Sequence, residues 1–380
     1  MVLEDTLTLA DLLVASWCDS ASAFARFEHQ RFLWTARVVR ESRALWPIYH
    51  SPGAHAEVRN QTSNCRNAPP KTTTAAWIGC GTLPRKQVKL CRFNEDRLGL
   101  VEGDQILDVS AALDVLPPVR WPVPLGDPLV RHLDLLVPAI QRAREAATRH
   151  AVADVRLHSP ISSPSKVMAA PANYRLHVEQ DTRDAGVDQG VHRKALEGVE
   201  RPTEKYGLFL KATSAIAGAA EGVQVIFPER RTDHEVELAV VIGKPGHAIA
   251  RKDAMDHVAG YMIGLDMTVR GTEDRSFRKS ADSYTVLGPW FVTSNEISDP
   301  HALIMSLWVD GDRRQHSSTG AMTVDIPDLI AIASSMYTLH PGDIILTGTP
   351  EGVGPVVAGN RVRVACEGIG EMSFAVSNHT

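Results

Sequence analysis

The amino-acid sequence predicts an α+β fold that is mostly β. From residue 160 onward it contains seven apolar runs of strand length, separated by turns rich in glycine and proline. Only two segments in this part, 252–258 and 326–337, have the apolar spacing of a helix. Because the helices are few and do not alternate with the strands, the pattern favours a sandwich or barrel over repeated βαβ units.

The composition is that of a globular protein rather than of a disordered or fibrous one. Of the 380 residues, 44% are hydrophobic and 22% are charged, and the length suggests two to three domains of roughly 150 residues each. A net charge of −5 gives no electrostatic reason to expect nucleic acid, and no apolar run of about 18 residues predicts a membrane span. Five scattered cysteines without a CxxC pair argue against disulfides or zinc. Acidic residues precede the first basic one, Arg26, unlike a targeting leader, so we expect a cytoplasmic protein.

The chain divides into three segments of different character. Residues 1–85 hold four of the seven tryptophans and a polar, turn-rich stretch at 51–76, which predicts an atypical, partly disordered N-terminal extension. Residues 86–155 predict a small α+β domain, and residues 160–380 predict the larger, strand-rich domain. Three prolines between 160 and 171 predict an extended linker at the junction of these two domains.

The small domain has clear turn and helix signals. Its strands are predicted at 88–93, 98–101 and 106–109. The sequence Glu-Gly-Asp-Gln at 102–105 predicts a hairpin turn between the second and third strands. Asp127 followed by proline is a good helix start, and the apolar spacing predicts a helix over 129–150 with a kink near Pro138.

Three carboxylates lie on two apolar strands of the larger domain. Side chains alternate along a strand, so Glu235 and Glu237 share one face, while Asp266 lies inside the apolar run 260–268. A buried carboxylate is costly unless it is paired or bound to a cation. If the three acids converge, they form a site for a hard divalent cation, which prefers oxygen ligands. Spacing alone leaves open a second interpretation, an exposed strand edge with two solvated glutamates and an ion-paired aspartate.

A dense series of motifs runs through the predicted larger domain. They are Asn173-Tyr174 with His177, Phe209-Leu210-Lys211, the strand 235–243, the strand 260–266, Arg270, 279–282, 287–290, 341–350 and Gly352-Val353-Gly354. In this order, over residues 86–376, they resemble the fumarylacetoacetate hydrolase family. The resemblance implies the family's mixed β-roll or β-sandwich catalytic domain at 160–380, a small N-terminal α+β domain before it, and a homodimer.

The resemblance also implies a metal centre. It assigns Glu235, Glu237 and Asp266 as ligands of one Mg²⁺ or Mn²⁺ ion, and a small 2-oxo acid as the substrate. Such an ion polarises the 2-oxo group and stabilises the enolate that remains when the adjacent bond breaks. His177 matches the family's catalytic histidine. Many members carry a glutamate three residues later, but this chain has Gln180, which cannot take a proton and so weakens the case for hydrolysis.

Five further residues are candidates by family match. Lys279 is a second catalytic candidate, which could stabilise the developing anion; the polar sequence around it also fits a solvated surface. Arg270 could contact the substrate or form an ion pair with a metal ligand. Thr349, Gly348 and, as a weaker candidate, Lys211 complete the predicted substrate-binding set. The glycine-rich loop 347–354 lacks the ending of a phosphate-binding loop.

The expected activity is hydrolysis of a C–C bond in a 2-oxo or 2,4-dioxo acid, such as an acylpyruvate from aromatic catabolism. One alternative is an isomerase of an unsaturated 2-oxo diacid, or a 2-oxo acid decarboxylase, because neither needs a water-activating pair. Another is a non-catalytic protein that uses the metal only for structure. The polar segment 177–206 is longer than a simple connection, which indicates either a lid that carries His177 or a solvated surface excursion.

Overall fold

The computed structural model describes residues 88–184, 186 and 198–379. The predicted extension, residues 1–85, lies outside this part of the chain, as does the centre of the predicted lid. Six α-helices and twenty strands make the described residues an α+β fold that is mostly β, which confirms the predicted class. None of these helices is long and apolar enough to cross a membrane.

The helices are short and the strands are numerous. The helices are α1 (Pro128–Arg131), α2 (Leu133–Ala143), α3 (Arg175–Arg183), α4 (Pro202–Tyr206), α5 (Arg275–Arg278) and α6 (Ile326–Met336). The first ten strands are β1 (Lys89–Phe93), β2 (Arg97–Glu102), β3 (Gln105–Asp108), β4 (Arg149–Ala151), β5 (Leu157–His158), β6 (Val167–Ala169), β7 (Phe209–Lys211), β8 (Ile216–Ala217), β9 (Val223–Val225) and β10 (Thr232–His234). The others are β11 (Val236–Ile242), β12 (Val258–Asp266), β13 (Thr268–Val269), β14 (Thr285–Thr293), β15 (Ile304–Val309), β16 (Asp312–Ser318), β17 (Ile344–Leu346), β18 (Gly354–Val356), β19 (Arg361–Cys366) and β20 (Gly370–Asn378).

Three sheets organise these strands. The largest follows the path β4-β3-β2-β1-β14-β12-β11-β17-β6-β7, with β5 added beside β1 and β8 beside β14. A second sheet has the order β13-β10-β18, and a third has the order β16-β15-β19-β20-β9. Strands β10 and β11 follow each other directly in the chain but belong to different sheets. The residue between them, Glu235, therefore lies where the chain passes from one sheet to the other.

Strand β11 is buried on both faces. Its Val236, Leu238 and Val240 side chains belong to one apolar cluster, and Ala239 and Val241 belong to another. Because successive side chains point to opposite faces, an apolar run without alternation is what a strand with two covered faces requires. A carboxylate on this strand, or on its neighbour β12, is consequently surrounded by protein rather than by water.

Two predicted elements differ from the structure. The helix predicted over 129–150 ends at Ala143, and residues 149–151 form strand β4, where His150 packs 5.4 Å from the ring of Phe93. The pairing with β3 overrides the helix propensity of this polar segment. The proline-rich linker contains the buried strand β6, which pairs in parallel with β17. A strand of three residues is too short to show a period, so the sequence did not predict this strand.

The small N-terminal segment continues the large sheet. Lys89 in β1 pairs with Val292 in β14, so strands from both predicted domains lie side by side. The predicted division near residues 155–160 stays a prediction. The predicted helix 252–258 is a 3-10 helix at Arg251–His257, and the other predicted helix is confirmed as α6.

Candidate active site

The three predicted metal ligands converge. Glu235 precedes β11, Glu237 is the second residue of β11, and Asp266 ends the neighbouring strand β12. The backbone N–H of Asp266 donates to the Glu235 carbonyl at 2.9 Å, which places the two residues side by side. One carboxylate oxygen from each acid lies within 4.8 Å of those of the other two, and all three side chains are buried. The alternative of an exposed strand edge is therefore excluded.

Lysines and an arginine surround these acids. The Lys279 Nζ donates to Glu235 Oε2 and to Asp266 Oδ2, at 2.7 Å each. Lys211 is fully buried behind the site, where it donates to Asp266 and, at 3.0 Å, to the carbonyl of Tyr284. Lys211 does not line the pocket described below, so the structure places it against a predicted ligand rather than against the substrate space.

Arg270 forms the ion pair with a predicted metal ligand, one of the two interpretations that the sequence left open, while its contact with the substrate stays a prediction. Its Nη2 donates to Glu235 Oε1 at 3.2 Å, which is an ion pair with a predicted metal ligand. Its Nε donates to Asp233 Oδ2 at 2.7 Å, and the same side chain lines the pocket. Asp233 also accepts from Arg231 Nε at 2.7 Å, so it holds two arginines beside the site. Nothing in the sequence pattern distinguishes Asp233 from other charged residues.

The electrostatics of the cluster fit a divalent cation. Burial raises the pKa of Glu237 well above its usual range, and repulsion from Asp266 and Glu235 adds to this effect. Burial also opposes ionisation of Glu235, but Lys279, Arg270 and His177 outweigh it and lower the pKa of Glu235. The Glu237 carboxylate accepts from the backbone N–H of Gly348 at 2.6 Å, a neutral donor. A set of three crowded oxygen ligands, one of them short of positive charge, has the chemistry of a Mg²⁺ or Mn²⁺ site.

A cavity opens beside the acids. It encloses about 480 Å³ including its mouth. The lining residues are Ala170, Pro171, Ala172, His177, Phe209, Glu235, Glu237, Asp266, Arg270, Arg275, Arg278, Lys279 and Thr349. The predicted residues His177, Lys279, Arg270 and Thr349 thus share one pocket with the three acids. Phe209, Arg275 and Arg278 are the additions that sequence reasoning did not assign to the site.

His177 lies on helix α3 and is 5% exposed. Asn173 anchors the approach to this helix, because its Nδ2 donates to the carbonyls of Val324 and Thr347 at 2.8 Å each. Gln180 is on the same helix, and its two amide atoms have different partners. Its Nε2 donates to the carbonyl of Val353 at 2.9 Å, and its Oε1 accepts from the backbone N–H of Gly352 at 2.7 Å. A glutamate could make only the second of these bonds, so the amide is suited to tie α3 to the glycine-rich loop.

The glycine-rich loop is shaped to reach the acids. Gly348 has φ +95°, and a Cβ there would lie 2.6 Å from the Cβ of Asn173, so the loop requires glycine at this position. The Thr349 hydroxyl donates to the carbonyl of Val236 at 2.9 Å and accepts from Gln315 Nε2 at 2.9 Å. Gln315 Oε1 accepts from the backbone N–H of Val236 at 3.1 Å, so this buried side chain fixes the loop against β11.

Known proteins of similar sequence and structure match most of this chain. A sequence model of the C-terminal domain of fumarylacetoacetate (FAA) hydrolase matches residues 166–377. The maleylpyruvate hydrolase of Aquipseudomonas alcaligenes is 50% identical over 289 residues, which are 76% of this chain and 99% of that protein. The crystal structure of maleylpyruvate hydrolase from Sphingobium sp. SYK-6, in complex with manganese(II) and pyruvate, is 39% identical, with a TM-score of 0.63, and covers 77% of this chain and 100% of that one. The 2-hydroxyhepta-2,4-diene-1,7-dioate isomerase of Mycobacterium marinum is 26% identical, with a TM-score of 0.54, over 77% of this chain and 98% of that one.

Proposed function

Because this chain belongs to the fumarylacetoacetate hydrolase family, as its motifs predicted, we propose that it is a divalent-metal-dependent hydrolase that cleaves a C–C bond in maleylpyruvate, a 2,4-dioxo acid. The observation that carries the proposal is the convergence of Glu235, Glu237 and Asp266 beside a pocket lined by cationic side chains. The name of the 50% identical relative supports the substrate, and the manganese and pyruvate bound in the Sphingobium enzyme support the metal and the product.

The residues of the pocket have separate roles in this reaction. Glu235, Glu237 and Asp266 would hold the cation, which when bound polarises the 2-oxo group of the substrate. His177 takes a proton from water, and the resulting hydroxide adds to the C4 carbonyl. The C3–C4 bond then breaks, leaving maleate and the enolate of pyruvate, and His177 returns its proton to C3. Lys279 and Arg270 place positive charge beside the enolate as it develops and beside the first carboxylate of the bound substrate.

An isomerase of an unsaturated 2-oxo diacid is the second candidate. The observation in its favour is Gln180, which stands where many family members have a proton-accepting glutamate and is engaged with the glycine-rich loop. Isomerisation needs the polarised 2-oxo group but no activated water. The similarity to the Mycobacterium marinum isomerase supports this candidate at lower identity.

Other properties belong to the same proposal. We infer that the protein is a cytoplasmic homodimer of aromatic catabolism and that Mg²⁺ can replace Mn²⁺. The support is the family resemblance and the oxygen-only ligand set, which suits both ions. Cys91 and Cys366 are buried free thiols, which suits a reducing compartment. Light scattering of the purified chain tests the dimer.

Product analysis tests the function. Maleylpyruvate is incubated with the Mn²⁺-loaded protein, and the products are separated by chromatography. We expect equal amounts of maleate and pyruvate, and a His177→Asn variant that still binds Mn²⁺ but loses about 100-fold or more in rate. A product of unchanged mass would favour the isomerase, and unchanged substrate with every acylpyruvate and 2-oxo diacid would refute both functions.

A further inference from the structure

Arg278 is a buried guanidinium without a carboxylate at contact distance. The residue is 3% exposed and lines the pocket. Its Nε donates to the carbonyl of Glu273 at 2.9 Å, and its Nη1 donates to the carbonyl of Val269 at 3.3 Å. No acidic residue in the described part of the chain has a carboxylate oxygen within 4.0 Å of the guanidinium nitrogens of Arg278. A guanidinium has five N–H donors, so these two bonds leave donors for a further acceptor.

The surroundings of Arg278 raise the free-energy cost of burying its positive charge. Burial, together with the nearby charges of Arg270 and Arg275, lowers the pKa of Arg278. Glu235 and Glu273 offset part of this effect at longer range, but both are already engaged. Glu273 Oε2 accepts from Arg230 Nη2 at 2.8 Å, and Glu235 accepts from Lys279 and Arg270. A buried charge that lacks its own counter-ion destabilises the protein. Binding of an anion to Arg278 from the pocket is therefore favourable.

The chain holds Arg278 in place rather than leaving it mobile. Arg230 donates to the carbonyl of Arg270 at 2.8 Å and to Glu273, which fixes the turn before α5. Gly271 permits this approach, because a Cβ at that position would lie 1.9 Å from Arg230 Nη2. The side chain of Asp274 begins α5 by accepting from the backbone N–H of Ser276 at 2.8 Å. A fixed guanidinium loses little entropy when it binds a carboxylate.

A second arginine of the same helix faces the same pocket. The guanidinium carbon of Arg275 lies 5.4 Å from the centre of the Phe209 ring, and Lys279 Nζ lies 5.6 Å from it on the pocket wall. The lining carries three arginines and one lysine, Arg270, Arg275, Arg278 and Lys279, beside its three acids. A bound divalent cation would add positive charge to this pocket, and a substrate with two carboxylates would offset that charge better than a substrate with one.

We propose that Arg278, assisted by Arg275, binds the second carboxylate of a dicarboxylic 2,4-dioxo acid and selects it over the monocarboxylic analogue. This inference rests on the proposed function and adds the residue that sets the substrate class. The first carboxylate and the 2-oxo group occupy the metal end of the pocket, with Lys279 and Arg270. Arg278 therefore determines which acyl group is accepted and takes no part in breaking the bond.

Binding of two matched ligands tests the inference. 2-Oxopimelate and 2-oxoheptanoate have seven carbons and the same 2-oxo acid end, and they differ only in the second carboxylate. Neither has a 4-oxo group, so neither is cleaved. Calorimetry with the Mn²⁺-loaded full chain should show tighter binding of the diacid by about 10- to 100-fold, the usual effect of hydrogen bonds to a charged group. Arg278→Lys keeps a positive charge but loses the planar set of N–H donors of the guanidinium, and it should lower this preference about tenfold.

Two further variants control the test. Arg275→Met should lower the preference by a smaller factor, whereas Arg313→Met, which removes an exposed arginine of β16, should leave it unchanged. Equal affinities of the wild type for the two ligands would overturn the inference, as would a preference that survives both Arg278→Lys and Arg275→Met. If Arg278→Lys does not fold, the wild type and Arg275→Met still decide. Hydrolysis of maleylpyruvate is measured separately, so a failure of the proposed function is distinguishable from a failure of this inference.

Discussion

Asp343 and the three acids of the candidate centre are buried carboxylates with different surroundings. Asp343, before β17, is fully buried and has a donor for each oxygen. One oxygen accepts from the backbone N–H and the hydroxyl of Ser165, at 3.0 and 2.6 Å, and the other accepts from Lys166 Nζ at 2.6 Å and from the His340 N–H at 2.7 Å. Its charge is thus met within the chain. Asp343 holds the loops around β6 and β17 together and needs no ligand.

The three acids of the candidate centre are arranged differently. Glu235, Glu237 and Asp266 crowd together at the edge of a cavity, and burial and mutual repulsion raise the pKa of Glu237. The charge of Lys279 and the backbone N–H of Gly348 offset only part of this rise in pKa. The contrast teaches that burial of an acid does not identify a functional site. The informative feature is a crowded set of buried acids beside a cavity, one of which, Glu237, forms no ion pair with any described lysine or arginine.

Removing one acid of the crowded set should have the largest effect on activity. Glu237→Gln keeps an oxygen that accepts from Gly348 but removes a charge from the metal ligands. We expect the kcat/KM for maleylpyruvate to fall about 1,000-fold or more, because the cation supplies several kcal/mol of stabilisation. Calorimetry with Mn²⁺ should show a parallel loss of affinity.

The stability of the same variant distinguishes a metal site from a structural cluster. In the absence of metal, Glu237→Gln should be no less stable than the wild type, because it relieves the repulsion. Adding Mn²⁺ at about 100 times its Kd should stabilise the wild type by about 2.7 kcal/mol and EDTA should reverse this, while the variant responds to neither. A variant that is strongly destabilised without metal would contradict the contrast between the two groups.

Removing the satisfied acid should have the reverse pattern. Asp343→Ala leaves the Lys166 ammonium and two loops without their common partner, so we expect a loss of about 3 kcal/mol in the free energy of unfolding. Urea denaturation followed by circular dichroism measures this loss. The affinity of the folded variant for Mn²⁺ should stay within about twofold of the wild type. A large loss of metal affinity with unchanged stability would mean that Asp343 had been assigned to the wrong group.

The sequence predicted the acids of the centre but only part of their surroundings. The Glu-x-Glu spacing on an apolar strand and the single aspartate on the next strand are local signals, and adjacent strands in the sheet brought them together. Lys279 lies 13 positions after Asp266 in a polar stretch, so only the family resemblance indicated that it reaches the site. The roles of these residues stay predictions until the variants are measured.

The residues that sequence reasoning missed make contacts with residues far away in the chain. Gln315 lies in β16, whose other side chains are largely exposed and polar, and it is buried because β16 passes over the loop that carries Thr349. Arg278 resembles the neighbouring charged residues of α5, and its isolation becomes visible only when the positions of Glu273 and Glu235 are known. Contacts between residues far apart in the chain leave no periodic signal, which is why a single sequence does not identify them.

A partly buried acid at the end of β3, Asp108, should have the smallest effect, and the pH dependence of that effect sharpens the comparison. Asp108 accepts from the hydroxyl and the N–H of Ser110, at 2.6 and 3.0 Å, and pairs with Arg97. Partial burial opposes its ionisation, but these donors outweigh burial and lower the pKa of Asp108 below its ordinary value of 3.8. Asp108→Asn should lose only about 0.5 to 1 kcal/mol, because water screens a pair in which Arg97 is half exposed.

The pH dependence of this small loss follows from the direction of the pKa shift. An acid with a lowered pKa in the folded state contributes stability above its unfolded pKa, and that contribution is lost as pH falls through the folded pKa. The difference between wild type and Asp108→Asn should therefore be constant near neutral pH and should close below pH 3.8, as measured by urea denaturation at a series of pH values. If the Asp108→Asn difference persisted there, its cause would be the turn at Ser110 rather than the charge, and Asp108 would no longer represent an acid whose ionisation the chain satisfies.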